Sequence, residues 1–328
     1  MIRTLKDTTS STIDKELARM RDDTGISTLG RVLTLVIMAD KGHSKNAIDA
    51  AIAASHEHPC RIIVHIAHDV SGDNRLDAEV SMGGDAGASE IVILRGWGES
   101  ARPTESLIAA LLLPDAPIVA WWPHSLPECP ADHSIGRIAH RRITDSARAE
   151  VPWDALEALR LRYSPGDTDL AWTRLTLWRI QLAAVMDDPE THHVSKVIVE
   201  GSEKSPSVLL LGTWLGYRLG ATVEIQESPQ QRGLYRVSLC RDDGQVTIYR
   251  PGQNIATLSS PGSADQQIAL PVRTLSECLA EELRRLDPDE VFGDVLQNGL
   301  ASSDVKFVQG QAPVPAGDPN RYTEVYDA

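Results

Sequence analysis

The chain has 328 residues, which at about 150 residues per domain predicts two domains. Hydrophobic residues make up 42% of it and charged residues 24%, a composition that excludes disorder throughout the chain. The 46 acidic residues outnumber the 32 Lys and Arg residues and leave a net charge of −14. Because so acidic a chain is repelled by phosphate backbones, general nucleic-acid binding is excluded.

The distribution of apolar residues predicts a soluble, cytoplasmic protein that does not enter a membrane. The N-terminal residues contain no apolar run of the kind found in signal peptides. One of the longest apolar stretches, residues 106–122, is interrupted by Pro114, Asp115 and Pro117. We therefore do not expect this stretch to span a bilayer.

The four cysteines are Cys60, Cys129, Cys240 and Cys278. They lie far apart and form no CxxC pair, so the sequence does not predict a disulfide scaffold. We expect Cys60 and Cys240, which border predicted strands, to be inert core thiols. Cys129 lies in a proline-rich loop and is expected to be the most exposed and reactive of the four. No redox control is predicted.

Strand and helix patterns alternate in the first half of the chain. An apolar stripe predicts helices over residues 11–24 and 44–56. Apolar runs rich in β-branched residues predict buried strands. These runs are residues 32–40, 61–67, 76–81, 90–95 and 117–121. Because strands that alternate with helices form parallel units, we predict an α/β fold, with an open, mostly parallel sheet and flanking helices, in an N-terminal domain of residues 1–165.

Short strands dominate the second half of the chain. After helices at 155–163 and 169–186, a strand, a helix over 207–219 and another strand precede a meander, in which Asp243-Gly244 predicts a tight hairpin. A further helix is predicted over 274–286. The pattern indicates a C-terminal α+β domain of residues 166–300 with a largely antiparallel sheet. Residues 301–328 are predicted to be a Pro/Gly-rich tail, either flexible or draped over a partner.

Common catalytic motifs are missing from the sequence. It contains no GxGxxG after a strand, no GxxxxGK[ST], no HExxH and no GxSxG, and we predict no catalytic residues and no cofactor. The segment His56–Cys60 carries metal-ligating residue types. However, residues two apart on a helix face different ways and Pro59 ends the helix, so no metal site is expected.

A glycine-rich loop is the first candidate site. Gly83, Gly84, Asp85, Ala86 and Gly87 could turn successive backbone N–H groups toward an anion, which would make the loop an anion-binding site. The same glycines could instead serve only a tight connection with positive φ angles. The sequence leaves both interpretations open.

Two tryptophans and three arginines are the candidate partner-binding residues. Trp121 and Trp122 end a predicted central strand, at the edge where open α/β sheets place binding crevices. Since neighbouring strand residues face opposite ways, one would be core and the other could line a cleft. Arg137 and Arg141 are predicted to share a helix face, with Arg142 beside them. The alternatives are a structural role for the tryptophans and internal salt bridges, with acids such as Asp145, for the arginines.

Small residues recur every four positions at Gly212, Gly216 and Gly220. On the helix predicted over 207–219 they would form a groove that another element can approach closely. We predict that this groove packs on the sheet of the same domain.

Five strings in one order carry a resemblance to a known family. They are GRVLTLVI, EHPCRIIV, MGGDAGASEIVIL, LLLPDAPIVAWWP and IGRIAHRRITDS, between Gly30 and Ser146. Together they resemble the glucose-6-phosphate dehydrogenase assembly protein family, OpcA, of actinobacterial type, and the similarity continues more loosely to about Leu286. The resemblance implies a non-catalytic partner that promotes the active oligomer of glucose-6-phosphate dehydrogenase. That enzyme opens the oxidative pentose phosphate pathway and makes NADPH.

Two function classes follow from these observations. The first is an assembly factor and allosteric activator of glucose-6-phosphate dehydrogenase, with Trp121 or Trp122 and Arg141 and Arg142 as anchors. The alternative is a sugar-phosphate-binding enzyme or metabolite sensor that uses the Gly83–Gly87 loop.

Overall fold

The computed structural model describes residues 1–24, 32–82, 90–187, 193–202, 204–227, 233–302 and 305–308. By compactness the chain divides into two units. Unit 1 contains Met1–Ala149, Arg162–Asp169 and Leu275–Pro288, and unit 2 contains Glu150–Leu161, Leu170–Thr274 and Asp289–Ala328. The two domains predicted from the sequence, residues 1–165 and 166–300, stay a prediction.

Unit 1 is built on an eight-stranded sheet. Its strands are β1 (Ile2–Leu5), β2 (Leu33–Asp40), β3 (Cys60–Asp69), β4 (Arg75–Met82), β5 (Glu90–Trp97), β6 (Ile118–Trp122), β7 (Arg141–Thr144) and β8 (Asp167–Asp169), in the order β1-β4-β5-β3-β2-β6-β7-β8. The six strands from β5 to β8 run parallel, while β4 is antiparallel to both of its neighbours, β5 and β1. The predicted mostly parallel sheet is therefore confirmed.

Helices cover the sheet of unit 1. They are α1 (Ser10–Thr24), α2 (Ser44–Ser55), α3 (Glu105–Ile108) and α8 (Leu275–Arg284). In α1 the spacing of Ile13, Leu17 and Met20 places all three on one face, and all three are fully buried against apolar residues of the sheet. The opening helix predicted from this stripe is confirmed. Helix α8 packs against α2.

Unit 2 is built on a seven-stranded sheet. Its strands are β9 (Val194–Gly201), β10 (Thr222–Glu227), β11 (Leu234–Arg241), β12 (Gly244–Tyr249), β13 (Ile255–Ser259), β14 (Gln266–Ala269) and β15 (Val305–Val308), in the order β14-β13-β12-β11-β9-β10-β15. Only the β9–β10 and β10–β15 pairs are parallel among these described strands. The predicted largely antiparallel sheet is confirmed, as is the hairpin, where Gly244 has a φ of 134°.

The remaining helices lie in or border unit 2. They are α4 (Pro152–Arg162), α5 (Leu170–Thr173), α6 (Thr176–Met186), α7 (Pro206–Leu219), α9 (Glu290–Asp294), a π-helix (Val295–Gly299) and α10 (Leu300–Ser302). Helix α7 packs on β9 and β10. A Cβ at Gly212 would lie 3.0 Å from Val223, and one at Gly216 would lie 2.4 Å from it. The prediction of helix–sheet packing is confirmed for Gly212 and Gly216, whereas Gly220 ends α7 with a φ of 63° and a Cβ there would meet nothing within 4 Å.

Three segments differ from the sequence prediction. The helix predicted over 169–186 is interrupted between α5 and α6, and Asp169 belongs to strand β8. Arg141 belongs to strand β7 and Arg137 to a short 3-10 helix (Gly136–Ile138), so the predicted shared helix face is wrong. The segment forms a strand because β6 and β8 pair with β7 on its two sides. Residues 305–308, predicted to belong to the tail, form β15 beside β10, and residues 309–328 lie outside the described part of the chain. Within the described residues, no helix is long and apolar enough to cross a membrane.

Candidate interaction surface

The two predicted tryptophan anchors lie in the interior of unit 1. Trp121 is 0% and Trp122 3% exposed. The ring of Trp122 meets that of His133 edge to face, with centroids 5.2 Å apart. Trp121 points to the opposite side of β6, and its indole Nε1 has no hydrogen-bond partner among the described residues. Neither ring lines an open cleft, so neither offers a partner an accessible surface.

Arg141 is held by groups of its own unit. Its Nη2 donates to Oε2 of Glu282 at 2.5 Å and its Nη1 to the carbonyl of Asp287 at 2.6 Å. Both side chains of the ion pair are about 95% buried. The pair fastens α8 to the end of the sheet, a structural role that the sequence left open as the alternative.

Arg142 and Asp167 form a second buried ion pair. The Nε of Arg142 donates to Asp167, and the guanidinium also donates to the carbonyls of Ala139 (3.1 Å) and Pro165 (2.6 Å). Burial raises the pKa of the Asp167 carboxyl, and the guanidinium of Arg142 opposes that rise. Arg137 is exposed and donates to the carbonyl of Asp132. Of the three arginines, only Arg137 is therefore accessible.

The other sequence candidates give no assembled site among the described residues. Gly83, Gly84, Asp85, Ala86 and Gly87 lie outside the described residues. All four cysteines are free, and Cys60 and Cys278 are fully buried, whereas Cys240, predicted to be a core thiol, is only half-buried, as is Cys129. Desolvation raises the pKa of the Cys129 thiol, which lowers its thiolate fraction and thus its reactivity. The described residues contain no His, Cys, Asp and Glu cluster suited to a metal ion.

A polar sheet surface in unit 2 was not singled out by sequence reasoning. On one side of this sheet Val199, Val223 and Ile225 face α7. Residues that are paired across neighbouring strands lie on the same side of a sheet. The residue pairs of this sheet therefore identify the side that faces away from α7. We call this other side the open face. It comprises Lys196, Ile198, Glu200, Thr222, Glu224, Gln226, Arg236, Ser238, Cys240, Gln245, Thr247, Tyr249, Ile255, Thr257, Ser259, Gln267, Ala269 and Lys306.

The open face is accessible. Apart from Ser238, which is buried and hydrogen-bonded to Thr247 at 3.0 Å, its residues are half-buried or exposed. Ile255, near one edge, is 55% exposed. A sheet that is apolar on one side and polar on the other is the ordinary outcome for antiparallel strands with one face in solvent.

A tyrosine ring and a guanidinium lie together in the open face. The Arg236 guanidinium lies 4.6 Å from the ring centroid of Tyr249, and its Nη1 donates to Oε1 of Glu200 at 3.0 Å. The hydroxyl of Tyr235 donates to the other oxygen of Glu200 at 2.6 Å. The contacts hold Arg236 and Tyr249 in place while leaving both partly exposed. Tyr and Arg are the residue types that most often dominate protein–protein interfaces.

The charge of the open face differs from that of the chain. Lys196, Arg236 and Lys306 oppose Glu200 and Glu224, which leaves a single positive charge, whereas the whole chain carries −14. Lys196 forms an ion pair with Glu224, which, together with Gln226, lowers the pKa of that carboxyl. The open face is thus close to neutral on an acidic molecule.

Alternation of residue types was the sequence signal for this surface. In β11 the apolar Val237 and Leu239 alternate with Arg236, Ser238 and Cys240. This pattern predicted strands, but which face stays uncovered depends on where α7 packs, and the strand pattern does not contain that information.

Two family models match the chain. One, described as the N-terminal domain of a glucose-6-phosphate dehydrogenase subunit, matches residues 51–161. The other, described as the C-terminal domain of such a subunit, matches residues 165–296. Together they span most of the chain, in the order that their descriptions imply. None of the curated proteins matches the chain.

Solved structures give weaker similarities. The glucose-6-phosphate 1-dehydrogenase of Mycobacterium avium aligns with a TM-score of 0.41 and 10% identity, over 86% of this chain and 95% of that one. An NAD-binding oxidoreductase from Klebsiella pneumoniae aligns with a TM-score of 0.40 and 11% identity, over 83% of this chain and 96% of that one. At TM-scores this low the similarities carry no argument about function.

Proposed function

Because the chain belongs to the OpcA family of glucose-6-phosphate dehydrogenase assembly proteins, we propose that it binds glucose-6-phosphate dehydrogenase as a non-catalytic assembly factor and allosteric activator. Its role would be to support the oxidative pentose phosphate pathway and the production of NADPH. The observation that carries the proposal is the pair of family models, which match residues 51–161 and 165–296 and describe the two domains of a dehydrogenase subunit.

Activation follows from differential binding. A partner that binds the active form of the dehydrogenase more tightly than the inactive form shifts the equilibrium by the ratio of the two affinities. A tenfold shift requires about 1.4 kcal/mol of differential binding free energy. No catalytic group is needed from the partner.

The open face is the proposed docking surface for the dehydrogenase. Its near-neutral charge adds no repulsion toward a partner whose docking surface is acidic or basic. Two copies of this chain, each carrying −14, repel one another over the rest of their surfaces, which disfavours a second copy as the occupant. The partly exposed Tyr249 and Arg236 would serve as anchors in place of the buried Trp121, Trp122, Arg141 and Arg142.

The first experiment is size-exclusion chromatography with light scattering on the chain mixed with the dehydrogenase of the same organism. Each fraction is assayed for dehydrogenase activity. We expect co-elution with a raised specific activity, and the measured mass gives the stoichiometry. Separate elution with unchanged activity, both with and without substrate and nucleotide, would contradict the proposed function.

The docking surface is tested by a pair of matched double variants. Tyr249→Ala with Arg236→Ala removes the central cluster of the open face, and we expect at least about tenfold weaker binding to the dehydrogenase, equivalent to about 1.4 kcal/mol. The control is Tyr217→Ala with Arg218→Ala, which removes a similar pair on α7, with the guanidinium 5.7 Å from the ring centroid.

Retained folding is checked in both double variants by circular dichroism. Equal binding by the two folded variants would exclude the open face as the docking surface. That result would leave the proposed function itself intact if the unmodified chain still co-elutes with the dehydrogenase.

A further inference from the structure

A cavity of about 590 Å³ lies in unit 1. It opens where a 3-10 helix (Gly98–Ala101) follows the carboxyl end of β5, beside the N-terminus of α1 and the start of β4. Parallel α/β sheets place their ligands at the carboxyl edge of the strands. The volume also falls within the roughly 300–1,000 Å³ of small-molecule pockets.

One wall of the cavity is fixed by backbone geometry. The Oδ1 of Asn74 accepts hydrogen bonds from the N–H of Ser100 at 3.0 Å and from its hydroxyl at 2.8 Å. Gly98 has a φ of 59°, and a Cβ there would lie 2.8 Å from the Cα of Asn74. Only a glycine at this position allows the two segments to approach so closely. The wall is therefore formed before any ligand binds.

A fixed guanidinium forms part of the lining. Arg75 donates from Nε and Nη2 to the two oxygens of Asp77 at 2.9 and 2.6 Å. Lys6 donates to the same carboxylate at 3.0 Å. These contacts, that of Arg75 first, hold the pKa of Asp77 far below its usual range. Arg75 therefore keeps a constant position at the edge of the cavity.

The lining chemistry limits the class of ligand. Six lining residues carry hydroxyl groups, one carries an amide, two are carboxylates and two are guanidiniums, while only two are leucines. Such a lining disfavours an apolar ligand. Because Arg75 and Arg102 are balanced by Asp7 and Glu99, it also disfavours a polyanion. Hydroxyls, amides and carboxylates suit a ligand that itself bears many hydroxyl groups.

One residue of the lining, Arg102, is suited to bind a negatively charged group of the ligand. Arg102 is exposed, lines the cavity and has no side-chain partner among the described residues. The guanidinium of Arg102 can therefore donate charge-assisted hydrogen bonds to one anionic group of a ligand, such as a phosphate.

We propose that this cavity binds a phosphorylated monosaccharide. Arg102 holds the phosphate, and the carboxylates and hydroxyls of the lining bind the sugar hydroxyl groups. The cavity shares no lining residue with the open face, and the proposal does not depend on the proposed function.

Isothermal titration calorimetry on the full chain alone tests the site, with glucose 6-phosphate as the probe. We expect saturable binding of this probe and at least tenfold weaker binding of glucose and of inorganic phosphate. Arg102→Ala should weaken binding of the probe at least tenfold. The control is Arg162→Ala, a half-exposed arginine of unit 1 that does not line the cavity, and it should bind as the unmodified chain does.

Three results would overturn the proposal. They are no binding of the probe, equal binding of the probe by the folded Arg102→Ala variant, and equal binding of inorganic phosphate and glucose 6-phosphate. The last would indicate an anion site without sugar recognition. Because the dehydrogenase is absent from the titration, none of these results bears on whether the chain binds that enzyme.

Discussion

The Arg142–Asp167 pair shows how strongly one residue can determine stability. Asp167 is fully buried, and removal of Arg142 leaves its carboxyl without the compensating cation. We predict that Arg142→Met lowers the free energy of unfolding by about 3–5 kcal/mol, the usual cost of breaking a buried ion pair. Urea unfolding measures the loss, with Arg137→Met, an exposed arginine, expected within about 0.5 kcal/mol of the unmodified chain.

A second variant shows whether the charge is responsible for the loss. Arg142→Met with Asp167→Leu removes both charges and should recover much of the stability. If the double variant is no more stable than Arg142→Met, the loss comes from the carbonyls of Ala139 and Pro165, which Arg142 also satisfies.

Buried histidine gives unit 1 a dependence on pH. His65 is 1% exposed, and its Nε2 donates to the carbonyl of Ser100 at 2.8 Å. Burial lowers the pKa of its imidazole below the ordinary value of about 6.5. The unfolded chain therefore binds this proton at a higher pH than the folded chain, so stability falls as the pH drops below about 6.5.

The corresponding variant is His65→Gln, whose amide can still donate to the carbonyl of Ser100. We predict that its free energy of unfolding falls less between pH 7 and pH 5 than that of the unmodified chain. Denaturant titrations at several pH values measure the difference. An identical fall in both proteins would show that other groups account for the acid sensitivity.

Residue identity predicted the importance of the tryptophans and arginines but not their surroundings. Trp and Arg are enriched at interface anchors, but Trp is also highly buried in protein interiors and Arg can be buried where it is paired. For Arg142 the pairing of β7 with β8, about 25 positions further along the chain, decides between the two, and for Arg141 the packing of α8 does. The spacing of residues along β7 does not show which distant residues will pair with its arginines.

The packing of α7 on the sheet of unit 2 depends on a close contact at Gly216. A Cβ at Gly216 would lie 2.4 Å from Cγ2 of Val223, so Gly216→Ala forces the helix and the sheet apart. Overpacking costs about 1–3 kcal/mol, against a gain of about 1 kcal/mol in helix propensity. We predict a net loss of stability in thermal and urea unfolding.

A double-mutant cycle with Val223→Ala isolates the contact behind this loss. The two changes together should destabilise the chain by less than the sum of their separate effects, because the smaller residue 223 leaves room for the added methyl group. Purely additive effects would mean that Gly216 is required for a reason other than its approach to Val223.

Elements with apolar runs were predictable, whereas short polar strands were not. The runs that became β2, β3, β5 and β6 are buried from end to end or nearly so. Strand β8 consists of Asp167, Thr168 and Asp169, all fully buried. Asp169 is satisfied by Thr144 and Ser146. A strand stabilised by such tertiary hydrogen bonds has no local hydrophobic pattern to reveal it.

At the scale of the whole molecule, the open face and the charge of the chain have opposite effects on association. A net charge of −14 makes copies of the chain repel one another, while the nearly neutral open face, the proposed docking surface, adds no such repulsion. This arrangement favours a specific contact with another protein over self-association. The alternation of apolar and polar residues in β11 and β12 predicted the sheet. Which side of the sheet stays uncovered depends on where α7 packs, and the sequence pattern did not show that.

Thermodynamic linkage gives a prediction for the complex as a whole. If the chain raises the affinity of the dehydrogenase for glucose 6-phosphate by some factor, saturating glucose 6-phosphate must raise the affinity of the dehydrogenase for the chain by the same factor. The two factors are obtained from substrate titrations at zero and saturating chain, and from chain titrations at zero and saturating substrate. The Arg102→Ala variant of the chain is used in these titrations, because it weakens the direct binding of glucose 6-phosphate by the cavity of unit 1. A chain affinity that does not change with substrate, alongside raised activity, would mean that activation acts on turnover or assembly rather than on substrate binding.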